Sequence, residues 1–181
     1  ITCSEINENS NRLLKVFKFG GASVKDSAAV KSMTEIIRAN NEGPLIVIVS
    51  AMGKTTNAIE VLLQKVIDEK DFSNEFLSLQ KFHNNIMKEL SLNNDETFIK
   101  EISGIYTEIE MQLNRVSSAL NYNYVYDQTV SLGEILSTKI ISSYLNHSGI
   151  SSFWLDARKV IKTDSTHREA KIDWGATQNI I

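Results

Sequence analysis

The sequence has few of the residues that cross-link a chain or divide it into domains. Its 181 residues include one cysteine, Cys3, and one proline, Pro44. A single cysteine excludes an internal disulfide and a cysteine-based zinc site, and it fits a reducing compartment. With one proline and eight glycines, no stretch has the composition of an interdomain linker. The sequence therefore predicts one domain, or one large piece of a domain, without redox chemistry.

Long hydrophobic runs and an excess of basic residues are also missing. The longest apolar run is centred on residues 45–49, far short of the about 20 residues that a membrane-spanning helix needs. No secretory hydrophobic segment opens the chain, so we expect a cytoplasmic protein without a membrane partner. Nineteen Lys and Arg against 22 Asp and Glu give a net charge of −3, which favours no nucleic-acid partner. The 42% of hydrophobic residues is enough for a globular core.

The hydrophobic pattern predicts an α/β fold with a mainly parallel sheet between helices. A β-prone run at residues 13–19 and a continuous apolar run at residues 45–49 are typical of buried strands. Between them, apolar residues recur at helical spacing after Asp26, which is a suitable cap. A second helix follows, and Asn57 with Glu60 has the spacing of a capping box.

The rest of the chain predicts more helices and two further strands. Apolar residues at helical spacing over 76–90 and 98–120 predict an extra helical hairpin. Another amphipathic helix is predicted over 130–145, capped around residues 127–129, and strands are predicted at 151–155 and, more weakly, at 160–161. Residues 1–12 have no clear period and are predicted to be an irregular lead-in.

The strongest functional pattern is Lys-Phe-Gly-Gly-Ala-Ser at residues 18–23, where the first strand leads into a helix. Two glycines let the backbone approach a ligand closely, and their N–H groups and the helix N-terminus favour an anion. Lys18 adds a positive charge at the same place. A phosphate-binding turn is one interpretation, and an ordinary tight turn beside a solvated lysine is the other.

A second polar turn, residues 50–57, follows the second strand. Its Gly-Lys-Thr resembles part of a P-loop, but Ile48 stands where a P-loop needs its first glycine, so we do not expect one. Ligands of open parallel sheets bind at the carboxyl ends of the strands, so the hydroxyls of this turn are candidates for a second wall of the site. Helix capping explains the same residues without a ligand.

Fewer chemical groups stand out after the predicted hairpin. Glu134 ends the sequence Ser-Leu-Gly-Glu near the start of a predicted helix, where a carboxylate commonly stabilises the helix dipole. Residues 156–158 and 163–168 are polar and are predicted to be loops. The three histidines have no metal-ligand spacing, so we expect no metal site made of protein ligands.

Four separated segments occur in the order seen in aspartokinases. They are residues 18–23, residues 49–51 with Thr56 and Asn57, residues 131–134 with Ser137 and Thr138, and residues 156–158. From about residue 15 to residue 174 the chain resembles the first part of an aspartokinase. The resemblance implies a truncated amino-acid kinase fold, in which residues 13–181 are the N-terminal part of the catalytic domain. The nucleotide-binding half and the regulatory domains would be absent.

The resemblance also implies a reaction and a set of site residues. The γ-phosphoryl group of ATP would pass to the side-chain carboxylate of L-aspartate, giving 4-phospho-L-aspartate on the route to lysine, threonine and methionine. The ATP phosphates would contact Lys18, Phe19, Gly20 and Gly21, with Lys18 as the catalytic residue. Aspartate would contact Ser23, Ser50, Thr56, Glu134, Arg168 and Asp173, with Glu134 facing its ammonium group. Mg²⁺ would be held mainly by the nucleotide phosphates, and the full-length enzyme would be a homo-oligomer.

The chain also departs from the family pattern. Ala22 replaces a usual threonine, and counting forward from Thr163 places Glu169, rather than Arg168, where an arginine is expected. Because the nucleotide-binding half would be missing, we expect the isolated chain to be inactive or weakly active. Two alternatives stay open: another amino-acid kinase, acting on glutamate, acetylglutamate, carbamate or a nucleotide, or a non-catalytic assembly module that binds a partner through its helical hairpin.

Overall fold

The computed structural model describes residues 13–116 and 122–181, so the predicted lead-in at residues 1–12 lies outside the described residues. Two strands, β1 (Lys15–Phe19) and β2 (Leu45–Val49), form a parallel sheet within these ranges. A short 3-10 turn (Gly21–Val24) follows β1. The described α-helices are α1 (Ser27–Arg38), α2 (Thr55–Ile67), α3 (Ser73–Glu89), α4 (Glu96–Asn114), α5 (Tyr122–His147), α6 (Ala157–Val160) and α7 (Trp174–Gln178). None of these helices is long and apolar enough to cross a membrane.

The β1–α1–β2 unit confirms the sequence prediction. The strands pair in parallel from Lys15 opposite Leu45 to Phe19 opposite Val49. Helix α1 begins after Asp26, whose carboxylate accepts a hydrogen bond of 2.8 Å from the backbone N–H of Ala29. Such a cap stabilises a helix by about 1 kcal/mol. A parallel pair joined through a helix brings the carboxyl ends of both strands to the same edge of the sheet.

The sheet is covered on one face by the described helices, whereas its apolar runs predicted burial on both faces. Val47 and its alternate neighbours pack against the helical core. On the other face Val16, Ile46 and Ile48 are 54%, 48% and 51% exposed. Because side chains alternate along a strand, this face forms an apolar surface that also carries Lys18.

The core lies between the helices, most of it on α2, α4 and α5. Helix α4 packs along α5, and α2 packs against both α3 and α5. Fully buried side chains on these helices include Ile59, Leu62, Ile109, Leu136 and Ile140. The two helices of the predicted hairpin are present as α3 and α4, but α4 packs mainly on α5 and meets α3 through the rings of Phe76 and Tyr106, whose centroids are 6.4 Å apart.

Two helix starts were predicted wrongly. Helix α2 begins at Thr55 without a side-chain cap, so Asn57 and Glu60 form no capping box. Helix α5 already includes Tyr122, so residues 127–129 are not its cap. Buried Val125 continues the apolar face of α5 upstream, and Asp127 is bonded to a later loop. Tertiary contacts therefore extend this helix beyond its local start signals.

Both late strand predictions were also wrong. Residues 151–155 alternate in burial as a strand does, with Phe153 89% exposed, but they pair with no strand among the described residues. Val160 ends α6 instead of forming a strand. The Asp156 carboxylate caps this helix by accepting from the Arg158 N–H at 3.0 Å, and it also forms an ion pair with the Arg158 guanidinium.

Candidate active site

The turns after β1 and β2 meet at the carboxyl edge of the sheet. Ser50 donates a backbone hydrogen bond of 3.1 Å to the carbonyl of Phe19, and Gly53 donates one of 3.1 Å to the carbonyl of Gly21. The two polar turns that the sequence singled out are therefore one structural unit. This edge is where ligands of open parallel sheets bind.

The two glycines of the first turn have different roles. A Cβ atom on Gly21 would lie 2.7 Å from the carbonyl oxygen of Ala51 and 3.0 Å from that of Gly53. Gly21 is therefore required by the close approach of the second turn. Gly20 has an ordinary extended backbone, and the nearest atom to its missing Cβ is Nζ of Lys18 at 3.6 Å. Apart from its chain neighbours, no other described atom lies within 4 Å of that position, so the backbone of Gly20 and the lysine ammonium are both available to an anionic group.

Helix α5 brings Glu134 to the same edge. Its half-buried carboxylate lies beside the backbone N–H groups of Ala51 and of Glu134 itself. Burial raises the pKa of Glu134, and the two neighbouring backbone N–H groups oppose the rise. One turn later, the buried Ser137 hydroxyl donates to the carbonyl of Ser50 at 2.8 Å. The carboxylate predicted to face an ammonium group therefore sits against the second turn.

Helix α5 can approach α2 this closely because residue 133 is glycine. A Cβ on Gly133 would lie 3.0 Å from the methyl group of Thr55 and 3.2 Å from Cδ1 of Ile59. The glycine before Glu134 is thus explained by packing between the two helices.

A pair of glycine substitutions tests this packing. Gly104 lies in the middle of α4 with nothing within 4 Å of its missing Cβ, so Gly104→Ala is expected to stabilise the chain by about 0.5–1 kcal/mol through helix propensity. Gly133→Ala has the same propensity gain but crowds α2, and we expect it to be about 1–2 kcal/mol less stable than Gly104→Ala. Urea unfolding of the two variants measures the difference. Equal stabilisation would show that a Cβ at residue 133 fits between α5 and α2 without crowding.

Three hydroxyls predicted to bind aspartate lie along the two turns or just after them. Ser23 is in the 3-10 turn, Ser50 follows β2, and Thr56 is the second residue of α2. None of the three side chains forms a hydrogen bond with the described residues. The neighbouring hydroxyls of Thr55 and Ser137 are, by contrast, both bonded within the protein. Within the described ranges, no bond of the first three hydroxyls competes with a ligand.

The structure gives Arg168 and Asp173 contacts outside this cluster. The Arg168 guanidinium lies 4.3 Å from the ring centre of Tyr126, and the backbone N–H of Arg168 donates to the Asp127 carboxylate at 2.8 Å. Its φ of 69° is in the left-handed region that favours glycine. Asp173 caps α7 by accepting from the Ala176 N–H at 2.9 Å. Glu169, at the alternative arginine position, is exposed.

One buried residue, His83, was missed as a neighbour of the site, and Thr55, a candidate for its second wall, has its hydroxyl bonded inside the protein. His83 on α3 and Thr55 at the start of α2 are hydrogen-bonded to each other beneath the second turn. The sequence explained His83 as one face of an amphipathic helix, and no local pattern pairs it with a threonine 28 residues earlier. Across the described ranges, no three His, Cys, Asp or Glu side chains form a group that could hold a metal ion.

Comparison with known proteins places this geometry in a family. The family model described as "Amino acid kinase family" matches residues 14–180. The chain belongs to the amino acid kinase family. This membership confirms the predicted fold class, and the small parallel sheet with its helices is a truncated form of the family's α/β fold.

The curated relatives of this amino acid kinase chain include plant and bacterial aspartokinases. It is 30% identical over 167 residues to an aspartokinase of Chlamydia muridarum, and the alignment covers 91% of the chain and 35% of that protein. It is 29% identical over 157 residues to the chloroplastic aspartokinase 1 of Arabidopsis thaliana, and this alignment covers 82% of the chain and 26% of that protein. The chain therefore spans about a third of these relatives or less, and the predicted resemblance to aspartokinases is confirmed.

A solved structure with a similar fold is aspartokinase III of E. coli in complex with aspartate and ADP. Its TM-score is 0.82 at 23% sequence identity, and the match covers 93% of the chain and 36% of the E. coli chain. At this identity the likeness concerns the fold.

Proposed function

We propose that this chain forms the aspartate-binding part of an aspartokinase, which transfers the γ-phosphoryl group of ATP to the side-chain carboxylate of L-aspartate. The product would be 4-phospho-L-aspartate, in the first step towards lysine, threonine and methionine. The observation that carries the proposal is the meeting of Lys18, the free hydroxyls and the Glu134 carboxylate at one edge of the sheet. Similarity to aspartokinases supports the same assignment.

The reaction needs no general base, because a side-chain carboxylate with an ordinary pKa near 3.9 is already ionised at neutral pH. The protein must instead hold two anions together and offset the charge on the transferring group. In the proposal Lys18 stabilises that group, and the backbone of Phe19, Gly20 and Gly21 contacts the phosphates. This donor set suits anions, so the nucleotide phosphates would hold Mg²⁺. The metal supplies charge neutralisation when bound.

Aspartate would lie between the two turns and α5. Glu134 would accept the substrate ammonium, and the unbonded hydroxyls of Ser23, Ser50 and Thr56 would contact its polar groups. We assign Arg168 to the α-carboxylate because a guanidinium binds a carboxylate through two parallel hydrogen bonds, and this role requires the side chain to leave the ring of Tyr126. Asp173 would position this loop as well as cap α7. Since the chain spans about a third of these relatives or less, turnover and oligomer assembly are assigned to the longer protein. The chain alone is expected to bind substrate with little or no turnover.

Calorimetric binding of L-aspartate to the chain tests the proposal, with Glu134→Gln as the informative variant. The substitution keeps the size of the side chain and removes the charge opposite the ammonium group. We expect it to weaken aspartate binding by about 30-fold, which corresponds to about 2 kcal/mol for a hydrogen bond to a charged group. Glu110→Gln, on the exposed surface of α4, is the matched control and should bind as the unmodified chain does.

The same titrations distinguish the alternatives. Equal aspartate binding by both variants would remove Glu134 from the site. Tighter binding of L-glutamate, N-acetyl-L-glutamate or carbamate than of aspartate would assign the chain to another amino-acid kinase. Absence of binding to all of these would favour an assembly module.

A further inference from the structure

His83 is a fully buried ionisable residue whose ring connects two elements. Its Nε2 atom lies 3.1 Å from Oγ1 of Thr55, the first residue of α2, and its Nδ1 atom lies 3.0 Å from the carbonyl oxygen of Leu79 on α3. Thr55 Oγ1 is also 2.7 Å from the carbonyl oxygen of Met52. A chain of polar contacts therefore runs from α3 to the turn between β2 and α2.

These three contacts share two hydrogens, one on the neutral imidazole and one on the hydroxyl. With its hydrogen on Nδ1, the ring donates to Leu79 and accepts from Thr55 through Nε2. With its hydrogen on Nε2, the ring donates to Thr55, whose hydroxyl then donates to Met52. In both tautomers the imidazole and the hydroxyl are bonded to each other, so the hydroxyl is held inside the protein.

The bonded threonine is buried beneath the second turn, next to residues of the candidate site. Its methyl group is the closest atom to the missing Cβ of Gly133, at 3.0 Å, and Thr56 is the next residue. The preceding residue of α3, Phe82, places its ring tip 3.2 Å from the missing Cβ of Gly53, which has a φ of 54°. Two consecutive residues of α3 therefore support the turn that carries Ala51, Gly53 and Thr56.

We propose that His83 is a positioning residue of the aspartate site and acts through the hydroxyl of Thr55. It fixes the start of α2, so that the Ala51 N–H stays beside Glu134 and the Thr56 hydroxyl stays available to the substrate. The identity of the substrate in this inference rests on the proposed function. The support of the second turn rests only on the contacts of His83, Thr55 and Phe82.

A double-mutant cycle separates positioning from core filling. His83→Phe keeps a ring of similar size and removes both nitrogens, and Thr55→Val keeps the shape and removes the hydroxyl. If His83 acts through Thr55, each single variant weakens L-aspartate binding by roughly tenfold, and the double variant is no weaker than either single variant. Thr55→Ser restores the hydroxyl and should recover most of the affinity lost in Thr55→Val.

Hydrogen exchange of the Gly53 and Thr55 amides provides a readout that needs no ligand. We expect roughly tenfold faster exchange in His83→Phe and Thr55→Val, with unchanged exchange in the middle of α4. Tyr106→Phe is the control, because Tyr106 lies against the His83 ring with a centroid distance of 6.3 Å, and its buried hydroxyl has no partner among the described residues. This control should leave both readouts unchanged.

The outcomes separate the two proposals. Equal aspartate affinity in His83→Phe and the unmodified chain, or additive losses in the double variant, would overturn the positioning role while leaving the aspartokinase assignment intact. Failure of the unmodified chain to bind aspartate would count against the proposed function. In that case the exchange rates decide the role of His83 in holding the turn: faster exchange supports it, and unchanged exchange overturns it.

Discussion

Gly21→Ala is expected to lower the free energy of unfolding by about 3 kcal/mol, at the upper end of the range for overpacking a well-packed site. The added methyl carbon would meet two backbone carbonyl oxygens at 2.7 and 3.0 Å, and neither can rotate away as a side chain does. Relief requires separation of the two turns. That movement would break the hydrogen bond from Gly53 to Gly21 and shift the Ala51 N–H away from Glu134.

Gly20→Ala is the matched control, one residue away in the same turn. Its backbone is extended, and its added carbon would meet only the flexible end of Lys18 at 3.6 Å. We expect a change in unfolding free energy of less than about 0.5 kcal/mol. Urea unfolding of both variants measures the contrast. Equal stability of the two variants would mean that the second turn can move without loss and that the close approach is not needed.

Acidification from pH 7 to pH 4 is expected to remove about 3 kcal/mol of stability through His83 alone. Burial lowers the pKa of His83 from 6.5 to about 4 in the folded chain, so the unfolded chain binds a proton in this range while the folded chain does not. The contribution is therefore fully present above pH 6.5 and is lost as the pH falls towards 4. The carbonyl of Leu79 opposes the shift, but burial dominates.

The difference between the unmodified chain and His83→Phe isolates this contribution. Carboxylates also titrate in acid: the Arg158 guanidinium lowers the pKa of Asp156, and burial raises that of Glu134, with opposite effects on stability. Because both proteins share these groups, their effects cancel in the difference. Denaturant titrations at intervals between pH 4 and pH 7.5 should show the difference changing by about 3 kcal/mol. Parallel stability curves would mean that His83 is not buried in its neutral form.

The parts of the fold that could be predicted from the sequence are those in which local pattern and tertiary packing agree. The mostly β-branched run Leu45–Val49 favours a strand both locally and in the packed fold. Asp26 caps α1 through a bond to the helix's own backbone, so this cap does not depend on tertiary contacts. Residues 151–155 show the limit of this reasoning, because a strand exists only where another strand supplies its hydrogen bonds. Residues 157–160 show another limit, because one capping carboxylate at Asp156 outweighs the β propensity of Val160.

In the candidate site, too, some features could be predicted from the sequence and others depend on tertiary packing. The rule that parallel strands end at one edge predicted that the two turns meet. The family resemblance suggested Glu134, and the packing of α5 on α2 is what brings it to that edge. The separate roles of Gly20 and Gly21 depend on the position of Ala51, 30 residues away, and the bond between His83 and Thr55 depends on how α3 lies against α2. Neither contact is encoded in a local sequence pattern, so neither could be predicted from the sequence.

The hydrogen bonds between the two turns have a thermodynamic consequence for how binding can be observed. A two-stranded sheet is marginal by itself, and here the bonds from Ser50 to Phe19 and from Gly53 to Gly21 close its carboxyl end. A ligand that bridges these turns binds only the closed form, so its binding energy adds to the stability of the sheet by mass action. A ligand at 100 times its dissociation constant would add about 2.7 kcal/mol, so the melting temperature of the chain should rise with the logarithm of the ligand concentration even after the site is full.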